Sequence, residues 1–362
     1  CKAVAASADC SAFVTKDGLL YMCGSGEKGR LGLGHNNSSH SPLQVTFPVE
    51  VKVDKVSCGV AHTVSLTEDQ RVFCWGDGQW GNTGAFSLSD VLEPSEITSL
   101  SNKEIRSVVA GGYHSFAISD EGYLYAWGKN TNGQLGLGSV SSAEPTPQKV
   151  EGVGATVQDV AAGANHSAMV CHVTPPNLFM CGMNANGQLG LDDQVDRCDP
   201  TPIQLLDDRT VVSVGCGLAH TAAVSQYGDV LTWGNGRSGQ LGIFEGIETD
   251  RTAPVQLPNF SEHPIVRVAC GAEITCAVTD QGELYMWGSE SGMGLGGNQA
   301  RDPSNPSAPK EVEGLDSVVV EHHPPGVGVA LGAVHAVVLV SSAVGHVEGT
   351  SRGDQSVHGT TQ

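Results

Sequence analysis

The stretch CGLAHTAAVSQYGDVLTWGNGRSGQLG, residues 216–242, carries four landmarks in a fixed order. Gly217 and His220 open it as Gly-x-x-His, Tyr227-Gly228 forms a turn pair, Trp233-Gly234 follows, and Gly239-Gln240-Leu241-Gly242 closes it. Between the landmarks lie short apolar runs bounded by turn residues, which is the pattern of strands and not of helices. The same order recurs along the chain. Gly-x-x-His appears at Gly59–His62, Gly111–His114, Gly163–His166 and Gly332–His335, with degenerate copies at Ser7–Cys10 and Gly271–Ile274. Turn pairs follow at Asp17-Gly18, Asp69-Gln70, Glu121-Gly122 and Gln281-Gly282, while the fourth copy has Thr174-Pro175-Pro176-Asn177. The aromatic slot then holds Cys23, Trp75, Trp127, Cys181, Trp233 and Trp287, always eight residues before the Leu of the closing turn or its substitute.

Each repeat of about 50 residues supplies roughly four short strands, too small a sheet to bury both of its faces alone. Stacking such sheets around an axis gives a propeller. The sequence therefore predicts an all-β chain, a single seven-bladed β-propeller of four-stranded blades over residues 1–340. The seventh start, Gly332–His335, is followed by an apolar strand to Val340 but by no Trp-Gly, so the seventh blade is expected to be incomplete. The same arithmetic leads us to expect the natural chain to continue upstream of Cys1 with the missing half-blade. Residues 341–362 are small and polar and are expected to form a disordered tail.

Composition narrows the function. The chain has 39 acidic and 19 basic residues and a net charge of −20, which disfavours direct binding to nucleic acid. No run of about 20 apolar residues is present, so no membrane partner is expected. Cys58, Cys216 and Cys270 share a slot with Ala110 and Ala162, and Cys23 and Cys181 replace Trp. Cysteine thus serves as a small apolar residue. Without a Cys-x-x-Cys spacing, free thiols in the cytoplasm or nucleus are the expectation.

Chemistry-bearing patterns are scarce. His62, His114, His166, His220 and His335 share one phase, but equivalent positions of successive blades lie too far apart to converge on one ion. They read as structural, as do Trp75, Trp127, Trp233 and Trp287. No nucleophile elbow, His-Glu-x-x-His or phosphate-loop pattern occurs, so neither an enzyme, a cofactor nor a metal is expected. Asn37, Asn165 and Asn259 begin glycosylation sequons and Arg352-Gly353-Asp354 is an adhesion-type triplet, but free thiols argue against an extracellular setting.

The repeat of Gly-x-x-His-Thr/Ser, a turn, Tyr-x-Trp-Gly and Gly-Gln-Leu-Gly resembles that of the regulator of chromosome condensation family. The resemblance covers about residues 4 to 340 and implies a seven-bladed propeller. It also implies that the two residues inside Gly-x-x-His face a partner and that a small GTPase such as Ran is one such partner. Of these pairs, Asp9, Tyr113, Asn165 and Glu273 bring polar or acidic groups. The β-wedge insertion of the family's founding exchange factor has no counterpart, because all six spacings after the aromatic slot are equal. Nor does the chain hold a tryptophan cluster like that of the family's plant photoreceptor, since Trp80 is the single Trp outside the repeat slot. The second copy departs most from the repeat, with Gln79-Trp80 before Gly81-Asn82-Thr83-Gly84 and Phe86 and Leu88 after it. Trp80 and Phe86 are therefore candidate aromatic anchors for a protein partner. The reading is a protein-protein interaction scaffold, with guanine-nucleotide exchange on a small GTPase as the alternative.

Overall fold

A computed structural model describes residues 1–173, 175, 177–206, 209–243, 249–289 and 308–312, and strands at 318–320, 329–331, 336–338 and 340–342. Blade 1 is β1 (Ala3–Ala6), β2 (Cys10–Val14), β3 (Leu20–Gly24) and β4 (Ser39–Gln44). Blade 2 is β5 (Val53–Cys58), β6 (His62–Thr67), β7 (Val72–Gly76) and β8 (Val91–Glu96). Blade 3 is β9 (Ile105–Ala110), β10 (His114–Ser119), β11 (Leu124–Asn130) and β12 (Ser141–Lys149). Blade 4 is β13 (Val157–Ala162), β14 (His166–Cys171), β15 (Leu178–Gly182) and β16 (Arg197–Pro202). Blade 5 is β17 (Val211–Cys216), β18 (His220–Ser225), β19 (Val230–Gly234) and β20 (Arg251–Gln256). Blade 6 is β21 (Ile265–Cys270), β22 (Ile274–Thr279), β23 (Leu284–Gly288) and β24 (Lys310–Glu311).

Each blade is an antiparallel meander in sequence order, so chain order is also radial order. The first strands, β1, β5, β9, β13, β17 and β21, stand side by side around a central channel of about 330 Å³. The second strands are buried along their whole length where they begin with His or Ile, as in β6, β10, β14, β18 and β22. Their small alternating residues let neighbouring blades pack face to face.

The seven starts counted in the sequence give six four-stranded blades among the described residues. The physical reason is that a complete blade needs both the Gly-x-x-His and the Trp-Gly halves, and the seventh copy has only the first. Beyond blade 6 the chain forms two separate strand pairs, β25 (Val318–Val320) with β28 (Val340–Ser342) and β26 (Val329–Leu331) with β27 (Ala336–Val338). Strand β26 lies beside both β21 and β1. The seventh Gly-x-x-His, including His335, lies outside the described residues, as do residues 343–362 and the Arg352-Gly353-Asp354 triplet.

The repeat landmarks are the joints between blades. Nε2 of His62 bonds Ser115 Oγ of blade 3 at 2.8 Å, and the hydroxyl in turn bonds the carbonyl of Asn82 in blade 2. Trp127 Nε1 of blade 3 donates to that same carbonyl at 3.0 Å. The pattern repeats from His166 to Thr221 with the Gln188 carbonyl and Trp233, and from His220 to Thr275 with the Gln240 carbonyl and Trp287. Between blades 3 and 4 the donor is Cys181 Sγ, which reaches the Gln134 carbonyl at 3.5 Å in place of an indole. The cysteine has kept the position's hydrogen bond as well as its burial. Gly217 is required here, because a Cβ would lie 2.2 Å from His220 Cε1 and 2.5 Å from the Gly271 carbonyl. At the turns, Gly18, Gln70, Gly122, Gly228 and Gly282 have the positive φ that the Asp-Gly signal called for.

Candidate functional site

The hairpin that follows each first strand and the loop that follows each third strand emerge at one end of the propeller, because alternate strands run in opposite directions. This end carries all six residues singled out as partner candidates: Asp9, Trp80, Phe86, Tyr113, Asn165 and Glu273. Three of the six meet at a residue that was not singled out. Lys129 Nζ donates to Asn165 Oδ1 at 2.9 Å and lies over the rings of Trp80 and Tyr113, at 5.4 and 6.0 Å from their centroids. A backbone bond from Lys129 N to the Tyr113 carbonyl fixes the residue beside Tyr113. The cluster therefore spans blades 2, 3 and 4.

A polar tie present at other blade boundaries is absent here. Five residues after the aromatic slot stand Lys28, Asn132 and Asn186, and each reaches a carboxylate at the start of the next blade's outer strand. The pairs are Lys28 with Asp90 at 3.4 Å, Asn132 with Asp196 at 3.0 Å, and Asn186 with Asp250 at 3.0 Å. In blade 2 this slot is Trp80. The carboxylate slot is the residue just before the partner of the glycine after the aromatic slot, that is Asp90 before Val91, Asp196 before Arg197 and Asp250 before Arg251. In blade 3 the partner of Gly128 is Glu144, so the slot is Ala143, which pairs across the sheet with Lys129. Both ends of the tie are apolar at this boundary.

The same boundary carries exposed apolar groups. Phe86 is 74% exposed, Leu88 57% and Val140 63%, and Trp80 is half-buried. Phe86 has a φ of +58°, and its N–H is bound to the Pro145 carbonyl of blade 3. A non-glycine residue in that conformation is strained by about 1 kcal/mol or more, and the strain holds a phenyl ring in water.

Partial burial lowers the pKa of Lys129, with no neighbouring carboxylate to offset it. Asp9 and Glu273 are not part of the cluster. Asp9 is exposed and accepts from Nη1 of buried Arg30 at 3.1 Å, and the same guanidinium nitrogen holds the Val60 carbonyl of blade 2. Glu273 sits on blade 6 and is half-buried, and its carbonyl accepts from Ser289 N. The structural histidines behave differently from a binding set. His62, His114 and His220 are driven to a pKa of about 3, and His166 to about 4, by burial. Their Nε2 atoms are engaged across blades and their Nδ1 atoms are buried without a partner. Among the described residues no group of three or more His, Cys, Asp or Glu side chains is placed to hold a metal.

Lys129 was legible in the sequence by comparison between copies. The residue after the aromatic slot and its glycine is Ser25, Asp77, Met183, Asn235 or Ser289 elsewhere, and only here a cation.

Fold and face together define a blade-repeat propeller with an aromatic and apolar surface at one end. Residues 1–258 match the RCC1-like domain model and residues 265–294 the regulator of chromosome condensation (RCC1) repeat, and the chain belongs to this family. Among its relatives is the mitochondrial RCC1 domain-containing protein RUG3 of Arabidopsis thaliana, 30% identical over 334 residues, covering 91% of this chain and 74% of RUG3. The ultraviolet-B receptor UVR8 of the same plant is 34% identical over 287 residues, covering 79% and 64%. Human E3 ubiquitin-protein ligase HERC2 is 33% identical over 328 residues, which is 90% of this chain but 6% of HERC2. This chain thus spans less than two thirds of two of these three relatives. In fold it is similar to human WBSCR16, with a TM-score of 0.78 at 24% identity over 94% of this chain and 86% of that one. Yeast RCC1 (Prp20), solved bound to Kap60, gives a TM-score of 0.76 at 20% identity over 91% and 78%. No helix among the described residues is long and apolar enough to cross a membrane.

Proposed function

We propose that the chain is a protein-interaction module, one propeller over residues 1–340, that docks a partner protein at the boundary of blades 2 and 3. One observation carries the reading: the loop-to-loop tie found at three other boundaries is replaced by Trp80 and Ala143, with Phe86 and Leu88 held out in solvent beside them. A drifted structural turn would restore packing or polarity, whereas this one exposes aromatic surface at the expense of backbone strain. Aromatic residues in such a setting are the usual centres of protein interfaces. Strands β26 and β27, beside β21 and β1, form the incomplete seventh blade in this reading. The use of cysteine as an apolar residue favours the cytoplasm or nucleus. The test is affinity capture from the native source with the wild-type chain and with Trp80→Ala/Phe86→Ala. Partners held by the first and lost by the second, at equal melting temperature, support the reading; identical captures overturn it.

Guanine-nucleotide exchange on a small GTPase is the second reading. It draws on Asp9 and Glu273, two carboxylates at the same end of the propeller. Release of labelled GDP from a panel of small GTPases tests it. Acceleration that falls more than about tenfold with Asp9→Ala/Glu273→Ala supports exchange, and no acceleration by the wild-type chain retires it.

A further inference from the structure

The interaction-face reading leaves open what chemistry the face selects, and Lys129 answers that question. Other cations at this end of the propeller already have their carboxylates: Lys28 has Asp90, Arg30 has Asp9 and Glu27, and Arg237 has Asp250. Among the described residues Lys129 has none, although the chain carries twice as many acidic as basic side chains. Its ammonium group spends one donor on Asn165 and has two left. The group lies beside the Trp80 and Tyr113 rings, where partial desolvation strengthens any charge-assisted bond. Apolar Phe86, Leu88 and Val140 lie on the same two loops. Elsewhere the end is rich in acid, with Asp9, Glu27, Asp90, Asp193 and Asp196, so a run of carboxylates would be repelled.

We propose that Lys129, beside the Trp80 and Tyr113 rings, takes the side-chain carboxylate of a single Asp or Glu in a partner protein, flanked by apolar residues that cover Phe86 and Leu88. Lys129 is the cation that meets the carboxylate, Asn165 orients the ammonium group, and the two rings exclude water from the pair. The occupant fills the place that a carboxylate of blade 3 would hold if Ala143 were the Asp seen at the other boundaries. The proposal rests on the interaction-face reading and adds the partner's chemistry to it.

The experiment is selection of random twelve-residue peptides, displayed with their C-termini fused, on the whole chain. Enriched peptides are then synthesised with amidated C-termini and titrated by fluorescence anisotropy against wild type, Lys129→Met, Lys129→Arg and Trp80→Ala. The expected peptides carry one acid between apolar residues. Changing that acid to its amide weakens binding to wild type about tenfold or more, and changes nothing on Lys129→Met, while Lys129→Arg keeps most of the affinity. Peptides that lose affinity on Trp80→Ala but tolerate Lys129→Met overturn the carboxylate and leave the interaction face standing. Peptides that ignore both substitutions, or no enrichment over a parallel selection on the Trp80→Ala/Lys129→Met chain, overturn both. Because the acid-to-amide change is made in the peptide, the result does not depend on how well any variant folds.

Discussion

His62 of blade 2 and Ser115 of blade 3 form a directed hydrogen bond, Nε2 to Oγ at 2.8 Å. The serine proton is committed to the Asn82 carbonyl, so the imidazole must be the donor. The proton therefore sits on Nε2, and Nδ1 keeps a buried lone pair. The same assignment holds for His114, His166 and His220, whose hydroxyl partners also donate onward to a carbonyl.

Acid should loosen the propeller through these four residues. Their pKa values of about 3 to 4 in the folded chain lie below the ordinary 6.5. Below pH 6.5 the unfolded chain therefore binds protons that the folded chain refuses. Their contribution is complete above about pH 6.5 and is lost as pH falls toward 4, by up to about 1.4 kcal/mol per pH unit for each histidine. Denaturant midpoints between pH 7.5 and 4.5 check this. Replacing His114 with Gln should reduce the slope by one proton, and an unchanged slope would contradict the assignment.

Truncating one joint should be costly. His220→Ala removes a buried ring and leaves Thr275 without its inter-blade donor. The expected loss is about 3 kcal/mol, from the cavity together with the missing bond. Urea unfolding of the variant measures it.

Two glycines, one crowded and one with a positive φ, should respond to alanine to very different degrees. Gly217→Ala drives a Cβ into His220 and the Gly271 carbonyl, and is expected to give little folded protein. Gly154→Ala meets nothing within 4 Å and suffers only the strain of a φ of +67°, about 1 kcal/mol. Melting curves of the pair separate crowding from strain.

Phe86→Gly should part stability from binding. Glycine accepts the φ of +58° without strain, so the melting temperature should hold or rise, while partner capture should fall. A marked drop in melting temperature would mean that the phenyl ring packs on the protein rather than facing a partner.

The fold was legible because its determinants are periodic. His220, Trp233 and Gln240 are each forced by a neighbour that repeats, and seven starts with six second halves already implied six whole blades. The candidate site was half legible. Trp80 and Phe86 stood out as departures from a repeat, and Tyr113 and Asn165 as polar residues in an exposed pair. Lys129 was marked only as a cation in a slot that holds none in the other copies, and its role was not legible because it comes from residues 36 and 49 positions away that only the packing of blades brings together. Asp9 looked like an available acid, and its commitment to Arg30 depends on a buried guanidinium that the repeat writes as Arg where others have Gln.

The uneven placement of tryptophan gives the molecule its own optical reporter. Four of the five indoles are sealed between blades with their N–H groups bonded to backbone carbonyls, and the fifth, Trp80, lies half-open beside the Lys129 amine. Acrylamide should quench only the red-shifted part of the emission that belongs to Trp80. Loss of that quenching on adding a protein would then signal occupation of this one face, with no label attached to either molecule.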